Sequence, residues 1–364
     1  MSKKIKPIAI HLPQFHPIAE NNAWWGKGFT EWTNVTKATP RFEGHYQPHL
    51  PADLGFYDLR LEEARMAQEA LAKQYGIYGF CYYHYWFNGK KILHEPIERK
   101  LKNEKEDFPF MLCWANENWT RAWDGLDREV LLKQEYSDQD DAHHMEHLCE
   151  TFFKDSRYIK QDGKPVFIVY RPSLFPDIKK TIATWRKVAH EKGIGELHLG
   201  YMQSWGFTDE PESLGFDFAV EFQPKFPAPI AVKKSLPERI IARLKRYFVS
   251  EKETVPADRY FDYHTFVKLQ MQNQFTTNVS PCLVPMWDNS SRRKNNAFIF
   301  TNESPEYYGE WLSLIKSNYP WSESKEKFLF INAWNEWAEG NHLEPCQKWG
   351  TQYLEKTKQV LENE

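Results

Sequence analysis

Eight times along the chain a short apolar run closes in a polar or aromatic cluster, and no other pattern in the sequence limits the fold so tightly. The runs are Pro7 to His11, Tyr78 to Tyr82, Phe110 to Trp114, Pro165 to Tyr170, Leu197 to Met202, Phe216 to Val220, Cys282 to Met286 and Phe328 to Ile331. Apolar runs of this length between polar clusters read as buried strands. Helical patterns lie between several of them. Asp58 to Tyr75 gathers Leu61, Ala64, Ala67, Ala70 and Leu71 on one face. Ser137 is placed to cap a helix to about Phe153, and Ser304-Pro305 to open one that includes Trp311, Leu312 and Ile315. Buried strands alternating with helices give a parallel sheet, and eight such units predict an α/β fold closed into a (β/α)8 TIM barrel. A barrel needs about 250 residues. The chain has 364, which leaves room in one domain, 1–364, for long loops after the first and sixth strands, at about 17–54 and 225–258. A doubly wound open sheet is the alternative, but no G-x-G-x-x-G or P-loop follows any run.

In a barrel the functional groups gather at the carboxyl ends of the strands. The terminal clusters are therefore the candidate ligand-binding residues: His11, Gln14, His16, Tyr83, His84, Trp86, Trp114, Asn116, Glu117, Trp119, Gln203, Trp205, Glu221, Trp287, Asp288, Trp334 and Asn335. Aromatic residues make up 16% of the chain, 15 of them Trp, and their faces suit either sugar rings or a packed core. The last cluster also holds Glu336 and Glu339, three residues apart between Trp334, Trp337 and Gly340. Glycosidic bond cleavage asks for two carboxyl groups, one a proton donor and the other a base or nucleophile. Neighbouring indoles lower the local dielectric and favour a protonated acid. The alternative is structural, with either Glu salt-bridged across the barrel mouth to Arg171 or His84. Glu117, Glu221, Asp124 and Asp288 read as partners of sugar hydroxyls or of basic neighbours.

Other chemistries find less support. A net charge of −3 gives no footprint for nucleic acid. No HxH or HExxH pattern points to a metal, no G-x-S-x-G elbow to a serine nucleophile, and no cofactor fingerprint occurs. The five cysteines show no paired spacing, and Cys81, Cys113 and Cys282 fall in strand-like runs, as expected of buried thiols in a reducing compartment. The basic N-terminus lacks a secretory pattern, so a cytoplasmic location is expected. The basic stretch 233–248 carries Ile240, Ile241, Leu244 and Phe248 at helical spacing. This fits peripheral contact with a membrane surface, or a solvated helix packed on the barrel.

Several of these segments resemble a known family. Ala9-Ile10-His11-Leu12-Pro13-Gln14-Phe15-His16, Trp24 through Val35, Gly79 through Trp86, Trp114 through Thr120, and Asn335 through Gly340 followed by Leu343-Glu344-Pro345 are similar to the WbsX-type proteins of bacterial polysaccharide loci. Those proteins are related to glycoside hydrolase family 99, the endo-acting α-mannosidases and α-mannanases. The resemblance implies a (β/α)8 barrel. Through the N-E-W-x-E-G motif at Asn335 to Gly340, it implies Glu336 as the base on the sugar 2-hydroxyl and Glu339 as the acid/base at the glycosidic oxygen. It further implies retention of configuration through a 1,2-anhydro sugar. WbsX-type proteins are commonly labelled glycosyltransferases of lipopolysaccharide or capsule synthesis. Three functions follow as expectations. The first is a retaining glycosidase or transglycosylase on α-linked, mannose-like oligosaccharide or polysaccharide. The second is a glycosyltransferase. The third is a non-catalytic sugar-binding protein.

Overall fold

The computed structural model describes residues 4–121, 126–226, 257–323 and 325–362. Its centre is a barrel of parallel strands: β1 (Ile5–His11), β2 (Gly79–Phe87), β3 (Phe110–Trp114), β4 (Lys164–Val169), β5 (His198–Met202), β6 (Phe218–Val220), β7 in two pieces (Val279–Ser280 and Cys282–Leu283) and β8 (Lys327–Ile331). The register runs continuously round the ring, with Ile8 of β1 opposite Gly79 on one side and Phe330 on the other. Fully buried runs such as Phe110 to Trp114 suit a sheet covered on both faces.

β7 differs from the sequence expectation, starting at Val279 and ending at Leu283 where Cys282 to Met286 was expected. Proline explains the shift. Pro285 has no N–H, so the ladder cannot extend through it. Pro281 splits the strand, yet its carbonyl still accepts from Phe330 N–H at 2.9 Å. The first piece pairs with β6 and the second with β8, so this short segment closes the barrel.

The outer helices follow the caps read in the sequence. Ser137 accepts from Asp140 N–H at 3.1 Å and opens Asp138–Thr151. Ser304 accepts from Tyr307 N–H at 3.3 Å and opens Pro305–Asn318. The loop after β1 has more structure than its lack of period suggested. It holds two helices, Ala19–Trp25 and Glu31–Thr36, too short to print a repeat. The second packs Trp32 and Val35 with Phe15, Tyr57 and Trp337 into a satellite core above the barrel. All five cysteines are buried free thiols. Among the described residues no helix is long and apolar enough to cross a membrane. The basic stretch 233–248 lies outside the described residues.

Candidate active site

A cleft of about 1250 Å3 opens at the carboxyl end of the barrel. Aromatic side chains from several strand ends wall it, among them Tyr83, Tyr85, Trp119, Tyr170, Trp205 and Trp287, with Trp25 from the loop after β1. Glu336 and Glu339 reach the same cleft.

The last strand delivers these two carboxylates by a defined local route. The Asn335 side chain completes a ladder that the backbone has left: its Oδ1 accepts from Leu12 N–H at 2.7 Å and its Nδ2 donates to Leu12 O at 3.0 Å. Asn335 and Glu336 pair antiparallel with His342 and Asn341, and between the two lies a single 3-10 turn, Trp337–Glu339. Gly340 closes the turn at φ +53°, where a Cβ would stand 2.8 Å from Asp288 Cβ and 2.9 Å from Asp288 O. Only glycine meets both demands. Trp337 lies flat on His342, ring centroids 3.8 Å apart, and donates its indole N–H to buried Glu344 at 2.6 Å. Tyr57 and Gln68 complete the anchoring of Glu344, at 2.8 and 2.6 Å.

The partner of the pair is neither Arg171 nor His84 but Arg292. Its Nη2 lies 2.9 Å from Glu336 and its Nη1 2.8 Å from Glu339. The same Nη2 lies 2.6 Å from Glu31, a fully buried carboxylate of the helix Glu31–Thr36 that also accepts from Ala338 N–H at 3.2 Å. Three carboxyl groups thus share one guanidinium. Burial pushes Glu336 up to about 8, with Glu339 and Glu31 adding to the effect and Arg292 opposing it. Burial also raises Glu339, again against Arg292. Arg292 itself is desolvated, but the three carboxylates outweigh that and hold its proton more tightly than usual. Burial outweighs the nearby cations at both Glu336 and Glu339, which favours a proton held on the pair near neutrality. Glu336 is almost enclosed and Glu339 is 22% exposed, so the pair is graded in depth.

The structure brings other sequence candidates to the cleft: Gln14, Tyr83, Glu117, Trp119, Gln203, Trp205 and Trp287. Glu117 is ion-paired with Arg171, and burial raises its pKa against that pairing. Asn116 lies behind them and bonds both backbone groups of Arg171, each at 2.8 Å, as Asn335 does for Leu12. Trp205 is 73% exposed, with the Arg171 guanidinium 5.1 Å from its ring centre.

The remaining candidates do not reach the cleft. His11 is buried against Phe80 and Tyr82 and bonds Gln68 at 3.1 Å. His16, Trp114 and Trp334 are enclosed in the interior. His84 faces His144 across 3.0 Å, and Trp86 donates to Asp140 at 2.9 Å. Glu221 pairs with Lys225 at 3.2 Å. Asp288 accepts from His45 and Gln47, each at 2.6 Å, and lines a smaller cavity of about 290 Å3 beyond Gly340. Strand-end position alone put these residues among the candidates, and side-chain direction separates them. Conversely, Glu31 and Arg292 stand 261 positions apart, and no local pattern links them to the pair. Among the described residues no cluster of three His, Cys, Asp or Glu is arranged to hold a metal ion.

Comparison with known proteins places this geometry in context. Protein WxcX, described as uncharacterized, from two strains of Xanthomonas campestris pv. campestris is 41% identical over 356 residues. The match takes in 97% of this chain and 49% of WxcX, so the chain spans about half the length of these curated relatives. Among solved structures, a glycoside hydrolase-like protein superposes with a TM-score of 0.61 at 13% identity, covering 100% of this chain and 95% of that one. A GH99 endo-alpha-mannosidase from Bacteroides thetaiotaomicron, in complex with bis-tris propane, gives 0.57 at 12% identity, covering 98% and 96%. At such identities the likeness is one of fold, and it is the TIM-barrel fold found here. The family model described as Glycosyltransferase WbsX matches residues 7–357, and the chain belongs to that WbsX family.

Proposed function

We propose that this chain is a carbohydrate-active enzyme of bacterial surface-polysaccharide metabolism that cleaves or transfers α-linked, mannose-like glycosides with retention of configuration. The observation that carries the reading is the pair Glu336 and Glu339, presented by one turn into an aromatic cleft and tied to a common arginine. Glu336 takes the proton of the sugar 2-hydroxyl while that oxygen attacks the anomeric carbon. The bond to the glycosidic oxygen breaks, and Glu339 donates its proton to the departing oxygen. In the second half Glu339 accepts the proton of a water or acceptor hydroxyl as it attacks the same carbon. The 1,2-anhydro ring opens and O2 regains its proton from Glu336. Two inversions give net retention.

The proton inventory fits this scheme once substrate is bound. In the empty cleft the deeper Glu336 is the preferred proton holder. A sugar hydroxyl pressed against Glu336 donates a hydrogen bond to its ionised form and lowers its proton affinity. The proton is then available to Glu339, through which the leaving oxygen must receive it. Glu31 holds Arg292 from behind and keeps its two forks on the pair. Gln14, Tyr83, Trp119, Gln203, Trp205 and Trp287 are proposed as the sugar-contacting walls.

The family description supports a second reading, a glycosyltransferase that draws on an activated donor. One panel separates the two: incubation with nucleotide sugars and with α-linked oligosaccharides, followed by product analysis. Cleavage or rearrangement of the oligosaccharides, with the anomeric configuration kept, is the expected result. Consumption of a nucleotide sugar alone would replace the first reading by the second.

A further inference from the structure

Asp288 lies behind the turn that carries Glu339, on the side of the smaller cavity. Its carboxylate is buried and engaged at both oxygens. Oδ1 accepts from Ser290 N–H at 2.9 Å and so caps the 3-10 turn Asn289–Ser291. Oδ2 accepts from the Nε2 atoms of His45 and Gln47, each at 2.6 Å, both on the loop after β1. The His45 ring is oriented for this. Its Nδ1 accepts from Arg41 N–H at 2.9 Å, which leaves the ring proton on Nε2, facing Asp288. The strand Phe298–Thr301 holds the same segment from its other side, through Phe298 N–H to Asn289 Oδ1 and Phe300 N–H to Trp287 O, each at 2.8 Å.

Residues 288–292 touch Glu339 and its turn three times. Asp288 N–H donates to the Glu339 carbonyl at 2.6 Å, and Ser291 Oγ donates to the Ala338 carbonyl at 2.6 Å. Arg292 Nη1 lies 2.8 Å from the Glu339 carboxylate. Gly340 allows the close approach, since a Cβ there would also stand 3.0 Å from Asp288 N. Glu339 is thus held at its main chain and at its carboxylate by the two ends of one short segment. The spacing of those ends is set by the turn that the Asp288 carboxylate caps. A catalytic group must be held within about 0.5 Å of its working position.

Resting on the reading of Glu339 as the acid/base, we propose that Asp288 is a positioning residue whose carboxylate, locked by His45 and Gln47, fixes the segment that aims Glu339 at the glycosidic oxygen. It acts through Glu339 and touches no substrate. Asparagine cannot take its place. In Asp288→Asn one oxygen is left for three donors, so the amide N–H groups must meet either Ser290 N–H or the donors of His45 and Gln47.

Kinetics on two probes and one crystal structure test this. The first probe is an α-linked mannooligosaccharide, whose leaving group needs a proton. The second is dinitrophenyl α-mannoside, whose leaving group does not. Asp288→Asn should lower kcat on the oligosaccharide by about 10- to 100-fold, the cost of a misplacement on the order of 1 Å, with KM unchanged. On the aryl glycoside it should lose far less, because a misaimed acid has little to do there. His45→Leu, which removes a donor, should show the same split, and His45→Gln, which keeps one, should restore most of the rate. All rates are taken below each variant's unfolding midpoint. In crystals of Asp288→Asn the Glu339 carboxylate should have left Arg292 Nη1, a readout that needs no turnover. Equal losses on both probes, wild-type kinetics in Asp288→Asn, or a carboxylate that stays at Arg292 overturns the proposal. Glu339→Gln keeps the two readings apart. If it is as fast as the wild type, the acid is misassigned; if it is slow on the oligosaccharide while Asp288→Asn is not, the positioning role alone fails.

Discussion

Two clusters of titratable side chains stand at the same end of this barrel, and they have opposite characters. One is Glu31, Glu336, Glu339 and Arg292 at the cleft. The other is a stack of His84, His144 and His147 against Trp86, with ring centroids 4.7 to 6.5 Å apart. Burial lowers His84 to about 3, helped by the nearby charges of His147, Lys91 and His94, so the stack is neutral and its rings pack like hydrocarbon. The carboxylate cluster is overcharged and opens to a cleft. Each includes a residue from an aromatic-rich strand end, His84 in one and Glu336 in the other, so strand-end position does not tell them apart. What distinguishes them is whether the charges are compensated and whether a ligand can reach them.

The largest test of that contrast is catalytic. Glu339→Gln should lower turnover on a verified substrate by about two to four orders of magnitude, and less for a substrate with a very good leaving group. Glu336→Gln should lose as much and not be rescued by the leaving group, since its task is on the 2-hydroxyl. His144→Ala should leave kcat/KM at the wild-type value. If both glutamine variants keep near-full turnover, the overcharged cluster is as structural as the stack.

Next comes the shared cation. Arg292→Met should lower kcat/KM by about 10²- to 10³-fold, the usual cost of removing a fixed charge from a reacting site. It should also move the alkaline limb of the pH–rate profile. In the wild type that limb should fall through about pH 8, where the pair gives up the one proton it holds in the empty cleft. Without the arginine it should lie higher, and an unmoved limb would remove Arg292 from the proton balance.

Two stability experiments complete the comparison. His144→Ala should cost about 2–4 kcal/mol, as loss of a packed core ring does. The pH dependences should run in opposite directions. His84 is depressed in the folded state, so its stabilisation is present above about 6.5 and is lost as pH falls towards about 3. Glu336 is raised, so its contribution is present below about 4.5 and is lost as pH rises through about 8. Glu336→Gln does not titrate, and its advantage over the wild type should grow across that window to something on the order of 5 kcal/mol. Unfolding midpoints between pH 4 and 9 measure both. A gain for Glu336→Gln that is the same at every pH would show that the carboxyl is not strained by burial.

The sequence carried the barrel well because strands buried on both faces print unbroken apolar runs, as in Phe110 to Trp114. It carried the turn from Asn335 to Gly340 for a similar reason: a local motif has local spacing. It misplaced β7 because Pro281 and Pro285 mark the ladder's limits, and an apolar count passes over them. The site was legible only in part. Strand-end position offers both Trp86 and Tyr83 to the cleft, and only side-chain direction sends the first inward and the second to the surface of the pocket. Arg292 could not be read from spacing at all. Its connection to Glu31 and Glu336 is made by the fold.

The rung that Asn335 builds on Leu12 bears on the order in which the molecule is made. It joins positions 323 apart. Glu31, on the loop just after Leu12, meets Ala338 across a separation of 307. During N-to-C synthesis β1 can pair with β2 early, but its other edge and the aromatic loop wait for β8 and the turn that follows it. During that wait Phe15, Trp32 and Tyr57 have no Trp337 to pack against, so the nascent protein exposes apolar surface that the finished one hides. The charged pocket is then among the last parts to assemble, and a chain truncated before the last strand has neither a closed barrel nor its two glutamates.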